Sequence, residues 1–504
     1  MSFLHENENL TESRNPAPLC VDLDGTLTLA DLSIESLLRV VRQTPWVLFL
    51  FPLWLLRGKA HVKTQLARRG GPDVSVLPYN QAVIELVRDA RAANRQVVLV
   101  TGSHESFARQ VQAHVGLIDD VMATDEEMNL SGRRKAAALT ERFGKDGFEY
   151  AGNAHVDLAV WEAAGSVITV NAPRGVVARA RALGKPHRDF PGKRVGLRGW
   201  LKAIRIHQWA KNALVFVPLI TTHQILDPTA ILAALLAFYS FGLLASATYI
   251  VNDLFDLDSD RHHRTKHQRP FASGAIPATH GLIVSGLLLL GSAVLASLLP
   301  LGFQVALAAY LMSTLLYTFR LKRIASLDVL VLAALYTLRI IAGALAIGVF
   351  LSFWLLAFSM FIFLCLALVK RVSELIELQR RAEAAGSEPG RAQGREYDTS
   401  DIPVLQNLGA ASGYLAVLVL ALYINSPEVS VLYRTPEILW LIAPVLLLWV
   451  TRLWVMTTRG FMDDDPIVFA IKDPETWIAA GLIAILIAMA AVLKIDWMAA
   501  TPVA

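Results

Sequence analysis

Asn252, Asp253, Asp256 and Asp260 fall in an N-D-x-x-D-x-x-x-D pattern within YIVNDLFDLDSDRHHRTKHQRPFASG, directly after an apolar stretch long enough to cross a bilayer. At 3.6 residues per turn, Asn252, Asp256 and Asp260 stack on one helix face with Asp253 beside them. Carboxylates so close repel one another, and each costs about 2.5–3.5 kcal/mol if drawn into the bilayer, so a cation must compensate them. Mg²⁺ suits this role, being a hard cation that takes carboxylate oxygens while keeping sites for substrate phosphates. Lys266 and Arg269 follow within a few residues and match the excess negative charge of a diphosphate. Asp253 and Asp256 are then the catalytic candidates. A second carboxylate pair, Asp22 and Asp24, lies in CVDLDGTLTLADL, just past an apolar strand, at the kind of turn where α/β sites form.

Two different scaffolds must position these groups. A chain of 504 residues exceeds one ordinary domain, and its 54% hydrophobic content is unevenly spread. Residues 21 to about 190 read as a soluble α/β domain, whereas long apolar runs dominate from about 206. A span needs about 20 apolar residues. About nine candidates are expected, near 211–227, 230–251, 279–300, 303–319, 325–348, 350–369, 404–424, 435–456 and 475–495, with Lys211 and Asn212 at the start of the first. Residues 1–18 read as a disordered polar leader without the apolar core of a secretory signal. The net charge of +4 is modest and points to no nucleic-acid partner. Cys20 and Cys365 lack metal-ligand spacing and read as packing residues.

Basic loops alternate with loops that carry few basic residues. Lys193, Arg194, Arg198, Lys202 and Arg205 precede the first span; Arg261, Arg264, Lys266 and Arg269 form the next group, then Arg320, Lys322 and Arg323, then Lys370, Arg371, Arg380 and Arg381. Such loops stay cytoplasmic. The expectation is a multi-pass protein of the inner (cytoplasmic) membrane with the soluble domain in the cytoplasm and, given an odd number of spans, the C-terminus outside.

The aspartate pattern with RPFASG after it resembles the UbiA superfamily of intramembrane transferases, whose members have nine helices and bind Mg²⁺ and a diphosphate through that motif. The resemblance covers the membrane half, 191–504. It implies a metal site at Asn252, Asp256 and Asp260 and a catalytic role for Asp253 and Asp256. Members that transfer prenyl groups carry a second aspartate motif between the fourth and fifth helices; here YTFRLKRIASLDVLVLAALYTLRIIAG offers only Asp328. That loop, with RIHQWAKN, ALVKRVSEL and GREYDTSD, is similar to the polyprenyl-phosphate phosphoribosyltransferases. Their donor is phosphoribosyl diphosphate and their acceptor a lipid phosphate. These bring two further anionic groups, for which Lys211, Lys322, Arg339, Lys370 and Arg371 are the phosphate-binding candidates. Snorkelling interfacial anchors are the alternative, above all for Lys370 and Arg323. A prenyltransferase acting on an aromatic acceptor is the alternative activity.

In the first half, D-x-D-G-T at Asp22 resembles the haloacid dehalogenase superfamily of phosphatases. This implies a Rossmann-like domain over 19–190 in which Asp22 is the nucleophile and Asp24 the general acid and base. Thr101 in VVLVTGS matches the phosphate-binding hydroxyl. Lys135 in SGRRKAAAL matches the phosphate-neutralising lysine, with Arg133 and Arg134 as competitors. YAGNAHVDLAV resembles the metal motif G-D-x-x-x-D, giving Asp157 beside Asp22 and Asp24 as Mg²⁺ ligands, but Asn153 replaces the first aspartate. Asparagine offers oxygen without charge, so weakened metal affinity or a retired phosphatase are both open.

Between these motifs a helical cap is expected at about 33–80. Its apolar run from Trp46 to Leu56 is too short to span. It reads equally as cap core or as a helix dipping into the lipid interface. Residues 171 to about 200 form a basic linker suited to anionic lipid, and Gln379–Arg395 a long cytoplasmic loop. Together these imply that phosphoribosyl transfer to polyprenyl phosphate precedes removal of the 5-phosphate, although an unrelated phosphate ester is the alternative substrate. A homo-oligomer is neither required nor forbidden.

Overall fold

The computed structural model describes residues 17–192, 195–386, 396–426, 433–462 and 466–493. Most of the leader, Lys193 and Arg194, and the stretch 387–395 of the expected loop lie outside them. Two compact units result: Met1–Arg205 with Tyr249–Gly286, and Ile206–Thr248 with Leu287–Ala504.

The first unit is built on a six-stranded sheet of order β3-β2-β1-β4-β5-β6, with every neighbouring pair parallel. The strands are β1 (Leu19–Val21), β2 (Val97–His104), β3 (Asp120–Thr124), β4 (Glu149–Gly152), β5 (Ser166–Val170) and β6 (His187–Phe190). Leu19, Val21, Val97, Leu99 and Ile168 enter one core, while Cys20, Val98, Val100, Tyr150 and Val167 enter another. Alternation along each strand thus feeds two layers, and strands covered on both faces read as continuous apolar runs. The sheet changes direction around β1, where sites form outside the carboxyl ends of the strands.

Three helices follow β1: α1 (Leu32–Gln43), α2 (Val47–Leu56) and α3 (Lys59–Arg69), in the stretch where a helical cap is expected. Asp31 caps α1 by accepting from the Ile34 N–H at 3.0 Å. Val40, Val47, Trp54, Val62 and Leu66 make a small core among these three helices.

Segment Tyr249–Gly286 belongs to this unit and packs on α1. Glu35 and Arg261 form a two-pronged ion pair, 2.7 Å on each arm, with only 5% and 3% of their side chains exposed. Arg39 reaches Asp258 at 2.8 Å, and Arg42 donates to the Phe255 carbonyl at 2.6 Å. Gly274, the glycine of RPFASG, has φ of +71°, and a Cβ there would lie 2.6 Å from Leu29 Cβ. Glycine is therefore required for both conformation and approach. Removing one partner of a buried ion pair leaves a charge without compensation, a loss of about 3 kcal/mol or more. Glu35→Gln is accordingly expected to lower the thermal midpoint of the first unit in detergent, and Glu35→Gln with Arg261→Met to recover most of the loss. An unchanged midpoint in the single variant would contradict the pairing.

The second unit is a helical bundle. Among the described residues eight helices are long and apolar enough to cross a membrane, from Pro228–Phe255 to Pro474–Val492. About nine were expected. The missing one is 211–227, which forms a 3-10 segment, Ile206–Phe216, and a short helix, Val217–Thr221. Lys211 and Asn212 are buried within it, Asn212 held by Arg339, and Pro218 removes a backbone donor, so no uniform apolar helix forms. Helices Pro228–Phe255 and Ala278–Ser297 are tied by mutual bonds: Ser240 Oγ donates to the Ser292 carbonyl at 3.0 Å and Ser292 Oγ to the Ser240 carbonyl at 2.8 Å.

Candidate active sites

The first site lies at the carboxyl ends of β1, β2 and β4. The Asp22 N–H donates to the Ala151 carbonyl at 2.9 Å, which fixes the first carboxylate where β1 stops. Gly25, at φ +74°, then turns the chain, and a Cβ there would lie 1.9 Å from Asn153 Nδ2. Only glycine lets this loop pass so close to the side chain after β4.

Lys135 Nζ lies 2.8 Å from Asp22 Oδ1, 2.8 Å from the Tyr150 hydroxyl and 3.9 Å from Asp157 Oδ1. Tyr150 in turn donates to Asp157 Oδ1 at 2.9 Å, while Asp157 Oδ2 accepts from the N–H groups of Asn153 and Ala154 at 3.0 and 2.9 Å. Asp24 accepts from the Leu32 N–H at 2.8 Å, Ser103 Oγ at 2.6 Å and Thr101 Oγ1 at 3.4 Å. From α3, Lys63 donates to the Gly102 carbonyl at 2.5 Å and to Asn129 at 2.8 Å. The structure therefore brings Asp22, Asp24, Thr101, Lys135 and Asp157 together, with Asn153 beside them.

Burial pushes the Asp22 carboxyl up to about 7 against the opposing pull of Lys135. The same effect, reinforced by Asp31 and opposed by Ser103, lifts Asp24 to about 6. Burial alone would depress the Lys135 ammonium, but Asp22 and Asp157 raise it, so it stays charged. A carboxyl near 6 is suited to giving and taking protons at neutral pH. Ser103, Tyr150 and Lys63 escaped the sequence reading. Ser103 stood in the quoted VVLVTGS, two residues past Thr101, where alternation in a strand puts it on the same face.

The second site is the aspartate pattern. Helix Pro228–Phe255 ends just before Asp256, and a short helix, Leu257–His262, continues. The bonds Asp256 N–H to Asn252 carbonyl, 3.0 Å, and Asp260 N–H to Asp256 carbonyl, 2.8 Å, carry the helical spacing across the junction. Asn252 Nδ2 donates to Asp256 at 3.3 Å. Arg269 bridges Asp253 and Asp260 at 3.1 and 2.7 Å, Arg205 also pairs with Asp253, and Arg42 of α1 pairs with Asp256 at 2.8 Å. Each carboxylate of the pattern thus has a guanidinium partner. Burial raises the Asp260 carboxyl while Arg269 opposes it. Arg42 has no local sequence signal, its Phe255 partner lying 213 residues further along the chain.

Among the described residues no three Asp, Glu, His or Cys side chains converge as an all-protein metal cage would require. Mg²⁺ is commonly held by one or two carboxylates together with substrate phosphates. The donor chemistry at both sites, carboxylate and amide oxygens, fits that mode.

In the second unit Arg339 is buried, donating to Asn212 at 3.0 Å, the Leu335 carbonyl at 2.7 Å and the Tyr310 hydroxyl at 2.7 Å, with Tyr310 and Tyr336 against its face. Arg371 is fully buried, 2.6 Å from Asp328 and paired also with Glu374. Tyr397 donates to Asp328 at 2.7 Å. Asp328 is therefore sealed in a structural cluster. Lys211, Lys322 and Lys370 belong to this unit as well, Lys211 buried and Lys322 and Lys370 partly exposed.

The family model described as "UbiA prenyltransferase family" matches residues 213–472. The "Uncharacterized protein y4nM" of Sinorhizobium fredii is 37% identical over 476 residues, 94% of this chain and 91% of that protein. "Nodulation protein NoeC" of Azorhizobium caulinodans is 32% identical over 278 residues, 54% of this chain and 87% of that protein. "Decaprenyl-phosphate phosphoribosyltransferase" of Mycolicibacterium smegmatis is 37% identical over 183 residues, 35% of this chain and 57% of that protein. With a matching model over half its length and apolar helices in the same region, this multi-pass membrane chain belongs to the UbiA prenyltransferase family.

Proposed function

We propose that the membrane half transfers phosphoribosyl from phosphoribosyl diphosphate to a polyprenyl phosphate, and that the N-terminal domain, a haloacid dehalogenase-like phosphatase, removes the 5-phosphate of the product. The observation that carries the first step is the state of Asp328. Where a second aspartate cluster is needed for a prenyl diphosphate, this lone acid is enclosed by Arg371 and Tyr397. Likeness to decaprenyl-phosphate phosphoribosyltransferases over 183 residues supports the same reading. Asn252, Asp256 and Asp260 would hold Mg²⁺ at the transferase site, and Asp22, Asp24, Asp157 and Asn153 at the phosphatase site. In each case the ion supplies compensation for phosphate charge. Lys266 and Arg269 receive the diphosphate, while Asp253 orients Arg269 and Arg205. Lys211, Lys322 and Lys370 serve the additional phosphates; Arg339 and Arg371 hold the surrounding framework.

At the phosphatase site Asp22 attacks phosphorus and becomes the aspartyl phosphate. Asp24 protonates the departing ribose oxygen and then deprotonates the water that attacks the intermediate. Lys135, Thr101 and Ser103 neutralise and hold the phosphoryl oxygens. We place the N-terminal domain in the cytoplasm and the spans in the inner membrane on the basic loops. The eight long helices alone return the C-terminus to the same side, so an external C-terminus requires Ile206–Thr221 to cross as well.

Mass spectrometry of lipids formed by the reconstituted chain from phosphoribosyl diphosphate and polyprenyl phosphate tests the proposal. A ribosyl lipid lacking the 5-phosphate is expected. Incorporation from a prenyl diphosphate into an aromatic acceptor, with none from phosphoribosyl diphosphate, would replace this reading by the prenyltransferase one.

A further inference from the structure

Helix α2, VLFLFPLWLL, has no charged residue, and its ten residues extend about 15 Å, half the thickness of a bilayer core. One side packs on the cap, with Val47 and Trp54 buried and Phe51 partly so against Val40, Val62 and Leu66. The other side is bare: Trp46 is 74% exposed, Phe49 75%, Leu53 58% and Leu56 85%. So contiguous an apolar surface calls for an occupant.

Three observations favour the lipid leaflet. Arg42, in the last turn of α1, donates to the carbonyl of Phe255, the final residue of the span Pro228–Phe255, and α2 begins five residues after it. The start of α2 is thus held near the end of that candidate span. Trp46 stands at the N-terminal end of α2, stacked on Phe49 with ring centroids 6.2 Å apart, and tryptophan favours the headgroup level. Arg57 and Lys59 follow at the C-terminal end, both exposed, where their charges meet anionic headgroups. The helix is too short to cross, and Pro52 on its exposed side removes no contact with the cap.

We propose that α2 is an interfacial anchor: its outer face, Trp46, Phe49, Leu53 and Leu56, is embedded in the leaflet adjoining the end of the Pro228–Phe255 span, with the cap covering its inner face. The proposal concerns a surface and holds whichever phosphate ester the domain hydrolyses.

The test uses the full-length chain in nanodiscs of phosphatidylcholine with phosphatidylglycerol. Leu53→Cys and, separately, Phe49→Cys are spin-labelled; Cys20 and Cys365 are buried and leave the new thiol as the accessible one among the described residues. Collision of the label with oxygen, which concentrates in lipid, is compared with collision with a water-soluble nickel complex. Oxygen is expected to exceed nickel several-fold at both positions, and the reverse at a Glu85→Cys control on the exposed side of Gln81–Ala92. Nickel dominance at 49 and 53 would show a water-facing helix, and low collision with both reagents a surface covered by protein, such as a second copy; either result overturns the proposal.

Discussion

Asp22→Asn is expected to reduce phosphate-monoester hydrolysis by the purified chain on the order of 10³-fold or more, because an amide cannot form the aspartyl phosphate. The substitution keeps the shape of the side chain, and Lys135 retains Tyr150 at 2.8 Å and Asp157 at 3.9 Å, so the site stays assembled. Release of p-nitrophenol from p-nitrophenyl phosphate with Mg²⁺ measures the loss. In the coupled lipid assay the same variant should accumulate the 5-phosphorylated ribosyl lipid while total transfer stays near wild type. Wild-type hydrolysis by the variant would remove Asp22 from its role. Normal lipid proportions despite lost hydrolysis would separate the two reactions.

Asp256→Asn carries the second large effect. A metal ion that stabilises developing diphosphate charge supplies several kcal/mol, so losing a charged ligand should lower phosphoribosyl transfer on the order of 10³-fold and raise the Mg²⁺ concentration needed for half-maximal rate. Chelation should abolish transfer by the wild type. The variant also releases Arg42 from its 2.8 Å contact, but Arg42 keeps the Phe255 carbonyl and the cap stays held by Glu35 and Arg261. Radiolabel from phosphoribosyl diphosphate entering the chloroform phase across a Mg²⁺ titration gives both quantities. An unaltered rate and Mg²⁺ dependence would take the acidic pattern out of the transferase site.

Much of the fold is legible in the sequence. Buried parallel strands announce themselves as apolar runs, and long spans by length, because burial on all sides leaves polar residues no place. Asp22, Asp24, Thr101, Lys135 and Asp157, which the resemblance to the haloacid dehalogenase superfamily groups, also lie together in the structure. What sequence could not deliver were long-range pairings and local breaks. Glu35, Arg39 and Arg42 recur every three or four residues along α1, as they would on a helix face turned to water, and nothing local says that their partners begin 213 residues later. The stretch 211–227, expected as one apolar span, forms a 3-10 segment and a short helix instead, because its apolar content hides how Asn212 is held in the interior by Arg339.

The paired charges of Glu35 and Arg261 also constrain how such a chain can be taken apart. Cutting the chain after β6 would strand a guanidinium in an interior built for its counter-ion, so a lone transferase fragment would need the missing module supplied in trans or an apolar replacement at Arg261. Swapping in a different domain of the same fold meets the same demand: the graft must present a carboxylate at the position of Glu35, or the receiving surface must be redesigned with it.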